Sequence, residues 1–169
     1  MLVTINASAQ ERAYAKIPHE LFTVNVMIVH LFFTLALVKL FNVGMTGSVA
    51  SSIILSCFII IYTYFRTKKA KIQNTKLVYL HWQLSLNRYK MLIGAYVFYF
   101  LILAVGSLLD TGANAGMDGS TIAEAITMRL SIIPLFIAIL VGAVIGSGSM
   151  FNAGRGEVDD KLMQKYSQK

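Results

Sequence analysis

Four long apolar runs constrain what this chain can fold into. They extend from Leu21 to Val43, Gly47 to Phe65, Met91 to Leu109 and Leu130 to Met150. A hydrocarbon core about 30 Å thick needs ~20 helical residues at ~1.5 Å rise each, and every run supplies close to that. The apolarity is continuous rather than alternating, which excludes membrane β-strands. Composition agrees: 56% of residues are hydrophobic and 14% charged, against roughly 45–50% and about 25% in soluble domains. The expectation is an all-α integral membrane protein with four transmembrane helices, about 21–43, 47–65, 91–109 and 130–150.

The distribution of charge sets the expected orientation. The net charge is +7, but no acidic residue occurs between Glu20 and Asp110. Arg66, Lys68, Lys69, Lys71, Lys76, Arg88 and Lys90 fall in one stretch between the second and third runs. Basic residues concentrated between two spans mark a cytoplasmic loop facing anionic lipid, not a nucleic-acid surface. The 110–129 segment has Asp110, Asp118 and Glu124 against Arg129 and belongs on the outer side. The scheme is therefore a cytoplasmic segment 1–20, a basic cytoplasmic loop 66–90, an outer loop 110–129 and a cytoplasmic tail 151–169. Both termini face the cytoplasm, as in a multi-pass protein of a bacterial inner membrane. Residues 1–20 have no apolar core of a cleavable signal, so the first span is expected to stay as an anchor. Tyr62, Tyr64, Phe65, Tyr79, Trp82 and Tyr89 flank the basic loop, where amphipathic rings favour the headgroup level.

Several segments admit two readings. Leu77, Leu80 and Leu84 recur at helical spacing, so 76–90 is either a surface helix or a cytoplasmic extension of the third span. Thr121 and Glu124 form a capping-box pattern opening a helix that runs toward span four. Pro134 predicts a kink or break near Arg129–Pro134. Val158, Leu162 and Tyr166 share a face of a short tail helix, or the tail is a frayed solvated end.

The residues able to carry chemistry are few. His30 sits near the middle of span one, where an ionisable side chain is a functional candidate. It shares a 3.6-period face with Thr23 and Thr34, with Asn25 off that face. A neutral imidazole there can ligate haem, bond a quinone carbonyl, meet a partner, or hydrogen-bond within the chain. His19 and His81 are both expected at the cytoplasmic interface, where they could meet, though nothing in the sequence requires it. Ser48, Ser52 and Ser56 form a stripe on span two, suited to helix packing or, in an oligomer, to a pore. Ala138, Gly142 and Gly146 form a small-residue seam on span four, for packing inside the chain or against another subunit.

Other chemistry lacks the residues it needs. No span has an interior carboxylate for proton-coupled exchange. Cys57 is the only cysteine and lies in an apolar run, so no intrachain disulfide can form. Asp110, Asn114 and Asp118 have the wrong spacing for an EF-hand loop. Asn6-Ala7-Ser8 matches a glycosylation acceptor but falls on the side expected to be cytoplasmic. No catalytic triad or zinc-protease motif is present. The function expected from this profile is a non-catalytic accessory subunit packing against other membrane subunits. No cofactor is required. A haem- or quinone-contacting subunit using His30, or a small oligomeric channel or transporter, is the alternative.

Overall fold

The computed structural model describes residues 1–113 and 122–167, with side chains for 1–108 and 126–166. The outer segment around Asp110, Asn114 and Asp118, and the Thr121–Glu124 capping pattern, lie outside the described side chains. The fold is all-α apart from one short ladder. In chain order it comprises β1 (Leu2–Thr4), α1 (Ala9–Val24), a π-helical segment (Asn25–Phe33), α2 (Thr34–Lys39), α3 (Met45–Gln73), α4 (Lys76–Ala113), α5 (Ile122–Arg155), β2 (Glu157–Asp159) and α6 (Asp160–Ser167). Among the described residues four helical stretches are long and apolar enough to cross a membrane: Ala9–Lys39, Met45–Gln73, Lys76–Leu108 and Ile126–Arg155. The chain is therefore compatible with a four-pass membrane protein.

Each helical stretch is longer than its apolar run, but the first ends at Lys39, short of the expected Val43. The 66–90 stretch, expected as a loop, is helical except at Asn74 and Thr75. Asn74, in extended conformation, stops α3, and its N–H closes on the Ala70 carbonyl at 3.1 Å. Residues 76–90 thus extend the third span. Pro134 is accommodated inside α5 without a break in the helix. A proline lacks only one donor, and one missing bond need not end so long a helix.

Two compact units divide the chain: Met1–Tyr89 with Gly142–Lys169, and Lys90–Val141. In the first unit, β1 and β2 pair antiparallel with Val3 opposite Val158. Gly156 permits this return. It takes a left-handed φ of +72°, follows the end of α5, and accepts the Ile5 N–H at 2.8 Å. That conformation costs an L-residue with a side chain roughly 1–2 kcal/mol. Ser8 opens α1 with a capping box: its hydroxyl accepts the Glu11 N–H at 3.2 Å, and the Glu11 carboxylate accepts the Ser8 N–H at 2.6 Å.

The same unit contains an apolar cluster of Ala15, Ala70, Leu77, Val78, Leu80, Trp82, Ala153, Val158 and Leu162. The tail is not frayed but docks on its own chain. Leu162 and Val158 enter that cluster, and Tyr166 stacks edge-on with Tyr79 at 6.2 Å. Asp159 accepts the Lys161 N–H at 2.8 Å and starts α6.

In the second unit, α4 and α5 approach closely at Gly106, where an added Cβ would lie 2.1 Å from the Thr127 methyl. Phe98, Leu101, Val105 and Leu130 line an apolar groove beside this crossing.

Candidate functional site

The first unit buries an unusual quantity of polar side chain for a segment of this hydropathy. Three helices contribute one polar face each. From α3 come Ser48, Ser52, Ser56, Thr63 and Thr67, all buried. From α4 come His81, Ser85 and Tyr89, at i, i+4 and i+8 and all buried. From the first span come His19, Asn25 and His30, also buried.

The π-helical segment determines which residues of span one join that face. Its bonds run i→i+5 rather than i→i+4, so residues five apart stack on one side. Asn25 and His30 are five apart, and both are buried along with Val26 and Val29. The 3.6-period expectation had placed Asn25 off the stripe. The wider helix brings it in, and its amide donates to the Ser56 hydroxyl at 2.7 Å. Farther along, the Thr34 and Ser52 hydroxyls bond at 2.6 Å. The serine stripe of α3 therefore meets the chain's own first span. Ser48 bonds back to the Gly44 carbonyl at 3.0 Å, and Ser52 to that of Ser48 at 3.1 Å.

His19 and His81 meet. His19 Nε2 and His81 Nδ1 lie 2.8 Å apart, with ring planes 89° apart. Ser85, one turn after His81, donates to the Pro18 carbonyl at 2.8 Å. Another turn on, the Tyr89 ring packs edge-to-face on Phe22 at 5.0 Å. The Tyr89 hydroxyl faces Thr63 and Asn25 without closing a hydrogen bond to either. The outer ring nitrogens of the pair, His19 Nδ1 and His81 Nε2, also have no partner, and neither does Asn25 Oδ1. The Glu157 backbone interacts with His81.

The remaining candidates are placed as follows. His30 is 6% exposed, so a haem or quinone would need an opening to reach its imidazole. Gly142 and Gly146 are used inside the chain. A Cβ at Gly142 would touch Phe22 and Val26 at 3.4 and 3.5 Å, and one at Gly146 would lie 2.8 Å from Thr23 Oγ1. Ala138 is buried.

The basic residues separate into two groups. Lys68, Lys69, Lys71, Lys76 and Lys90 are exposed. Arg66 is not wholly at the surface: its guanidinium lies 5.6 Å from the Trp82 ring centre. Arg88 corrects the surface expectation more strongly. It donates to the Ile145 carbonyl at 2.9 Å and to the Ser149 hydroxyl, joining α4 to α5 within the first unit. A guanidinium has five donors in a fixed fork, suited to such acceptors.

Among the described residues no group of three His, Cys, Asp or Glu side chains is placed to hold a metal ion. Compared with known protein families, with characterised proteins and with solved structures, the chain matches none.

The sequence left open whether His19 and His81 meet, and they do; the Asn25–Tyr89 cluster is what sequence reasoning missed. Spacing on α4 was the available signal, since His81, Ser85 and Tyr89 recur every four residues. The Ser8–Glu11 cap was also legible as Ser-x-x-Glu.

Proposed function

We propose that this chain is a non-catalytic accessory subunit of a larger membrane assembly, inserted through four helices in a bacterial inner membrane with both termini cytoplasmic. One observation carries the reading. The residues flanking the spans build a folded platform: β1, β2 and α6 hold the two chain ends to each other beside the start of α4. Strand pairing keeps residues 2–4 and 157–159 together, which supports a shared compartment for the two ends. The Glu11 carboxylate interacts with Thr75, which supports the α3–α4 turn on that side too. Lys68, Lys69, Lys71 and Lys76 stand exposed around this turn. A dense lysine rim beside a span is cytoplasmic by charge bias and suits anionic lipid or an acidic neighbouring subunit.

The test is recovery from the native membrane in mild detergent. A subunit brings its neighbours with it, and Lys68→Glu, Lys69→Glu, Lys71→Glu and Lys76→Glu together should reduce that recovery severalfold. A chain that always emerges alone and stable removes the subunit reading. Reporter fusions that put the tail and residues 74–75 in different compartments remove the orientation.

A further inference from the structure

Hydrogen bonding divides the polar interior of the first unit into two dissimilar parts. On α3 the stripe from Ser48 to Thr67 spans roughly 28 Å at ~1.5 Å per residue, close to a hydrocarbon thickness of ~30 Å. From Ser48 to Ser52 every described hydroxyl is satisfied by protein: Ser48 on Gly44, Ser52 on Ser48, and Thr34 with Ser52. From Asn25 to the histidines, Thr63, Thr67 and Ser85 are satisfied by carbonyls, but four other polar atoms are not. Asn25 Oδ1, the Tyr89 hydroxyl, His19 Nδ1 and His81 Nε2 are buried without a well-formed hydrogen bond, on side chains between 0% and 1% exposed, although Thr63 and Asn25 stand near Tyr89 and the Glu157 backbone near His81. An unmet buried polar atom costs about 1–3 kcal/mol. Water is the ligand that relieves several at once, since a buried water makes about three hydrogen bonds.

We propose that this part of the unit is a water-filled proton inlet that enters beside Glu157, passes the His19–His81 pair, reaches Asn25, and is closed beyond it by the Thr34–Ser52 contact. The pair is built for transfer. Two neutral imidazoles carry two N–H protons. One lies in the shared bond, so one outer nitrogen is a donor and the other an acceptor. With His81 Nδ1–H donating inward, His81 Nε2 takes a proton at the mouth. The Nδ1 proton passes to His19 Nε2, and the His19 Nδ1 proton leaves toward Tyr89 and Asn25. One proton enters, one departs, and the central bond is reversed. The inlet covers about 16 Å along α3 from Thr67 to Ser56, near half of the ~30 Å core. A dead end at that depth leaves the membrane sealed while bringing protons to its middle. The proposal does not depend on the accessory-subunit reading, because every group belongs to one chain.

The wild-type chain in lipid vesicles tests it, by solid-state NMR transfer of polarisation from water to labelled side chains. Transfer to His19, His81, Tyr89 and Asn25 should be severalfold faster than to Thr34 and Ser52. Tyr89 and Asn25 as slow as Ser52 would mean a dry interior and overturn the inlet. Ser52 as fast as Tyr89 would overturn the closed end.

Proton mobility is read with a pH dye trapped in the vesicles and a valinomycin potassium potential. Wild type should hold the gradient, and a leaky wild type overturns the seal. Thr34→Gly with Ser52→Gly should leak severalfold faster, and adding Tyr89→Phe should slow it again. A double variant that keeps fast water transfer at His81 yet does not leak overturns the proton role. If the double variant does not fold, the wild-type comparison decides.

Discussion

The two parts of α4 on either side of Tyr89 handle burial with opposite chemistry. Before that point the helix hides Leu77, Leu80 and Trp82 on one side and His81, Ser85 and Tyr89 on another. From Lys90 onward it hides Leu92, Ala95, Tyr96 and Tyr99 and exposes Val97, Phe100, Leu101, Val105 and Leu108, the last at 72%. The later part has the exposed apolar surface that lipid solvates. The earlier part turns both apolar and polar side chains inward. One continuous helix therefore changes, near Tyr89, the kind of side chain it buries.

The largest expected effect tests that division directly. Trp82 is 2% exposed within the cluster of the first unit. Trp82→Ala should cost ~3–5 kcal/mol through the cavity and the lost contacts. Phe100, 48% exposed on the later part, keeps lipid contact in place of water in the folded state, so Phe100→Ala should cost under about 1 kcal/mol, as surface substitutions do. Denaturation of both variants in the same detergent measures the difference. Equal losses would erase the distinction between the two parts of the helix.

Hydropathy explains why one part was legible and the other was not. The run Met91–Leu109 announces itself because nearly all its residues are apolar. Residues 76–90 mix leucines with lysine, arginine and histidine, and their mean hydropathy cannot separate a helix with a polar interior from a surface segment. The partners decide. His81 is buried because His19 arrives from another helix, and no local pattern encodes that meeting. Asn25 was misplaced for a backbone reason: the π-helical segment shifts the period, and a 3.6-residue wheel puts Asn25 on the wrong face. Serine on α3 was easier, since hydroxyls in membrane helices regularly bond carbonyls or neighbouring helices, as Ser48, Ser52 and Ser56 do here. Four spans follow from length and composition. A buried histidine pair follows only from tertiary packing.

A smaller effect separates the two glycines of the α5 seam, which the sequence presents as equivalent. A Cβ at Gly142 meets ordinary van der Waals contacts with Phe22 and Val26, whereas one at Gly146 intrudes on Thr23. Gly142→Ala should therefore be tolerated or stabilise by up to about 1 kcal/mol through the reduced backbone entropy of alanine. Gly146→Leu should cost ~1–3 kcal/mol by overpacking the crossing with α1. Thermal unfolding of the two variants checks the order. If Gly142→Ala proves the more damaging, the seam faces something other than Phe22 and Thr23.

Two further substitutions probe the platform of β1, β2 and α6. Gly156→Ala should cost roughly 1–2 kcal/mol, because its left-handed φ suits glycine and its Cβ would lie 3.0 Å from the Ile5 carbonyl. Ser8→Ala should cost about 1 kcal/mol by removing one arm of the capping box. Hydrogen exchange distinguishes the two. Loss of the cap frees the Glu11 amide and frays the first turn of α1, leaving the ladder protected. Loss of the left-handed turn frees the Ile5 amide, whose acceptor is the Gly156 carbonyl, and with it the β1–β2 pairing. If either substitution instead loosens the amides of Val97 to Leu108, the two parts of α4 do not unfold independently, and the change in buried chemistry along the helix is not a boundary in stability.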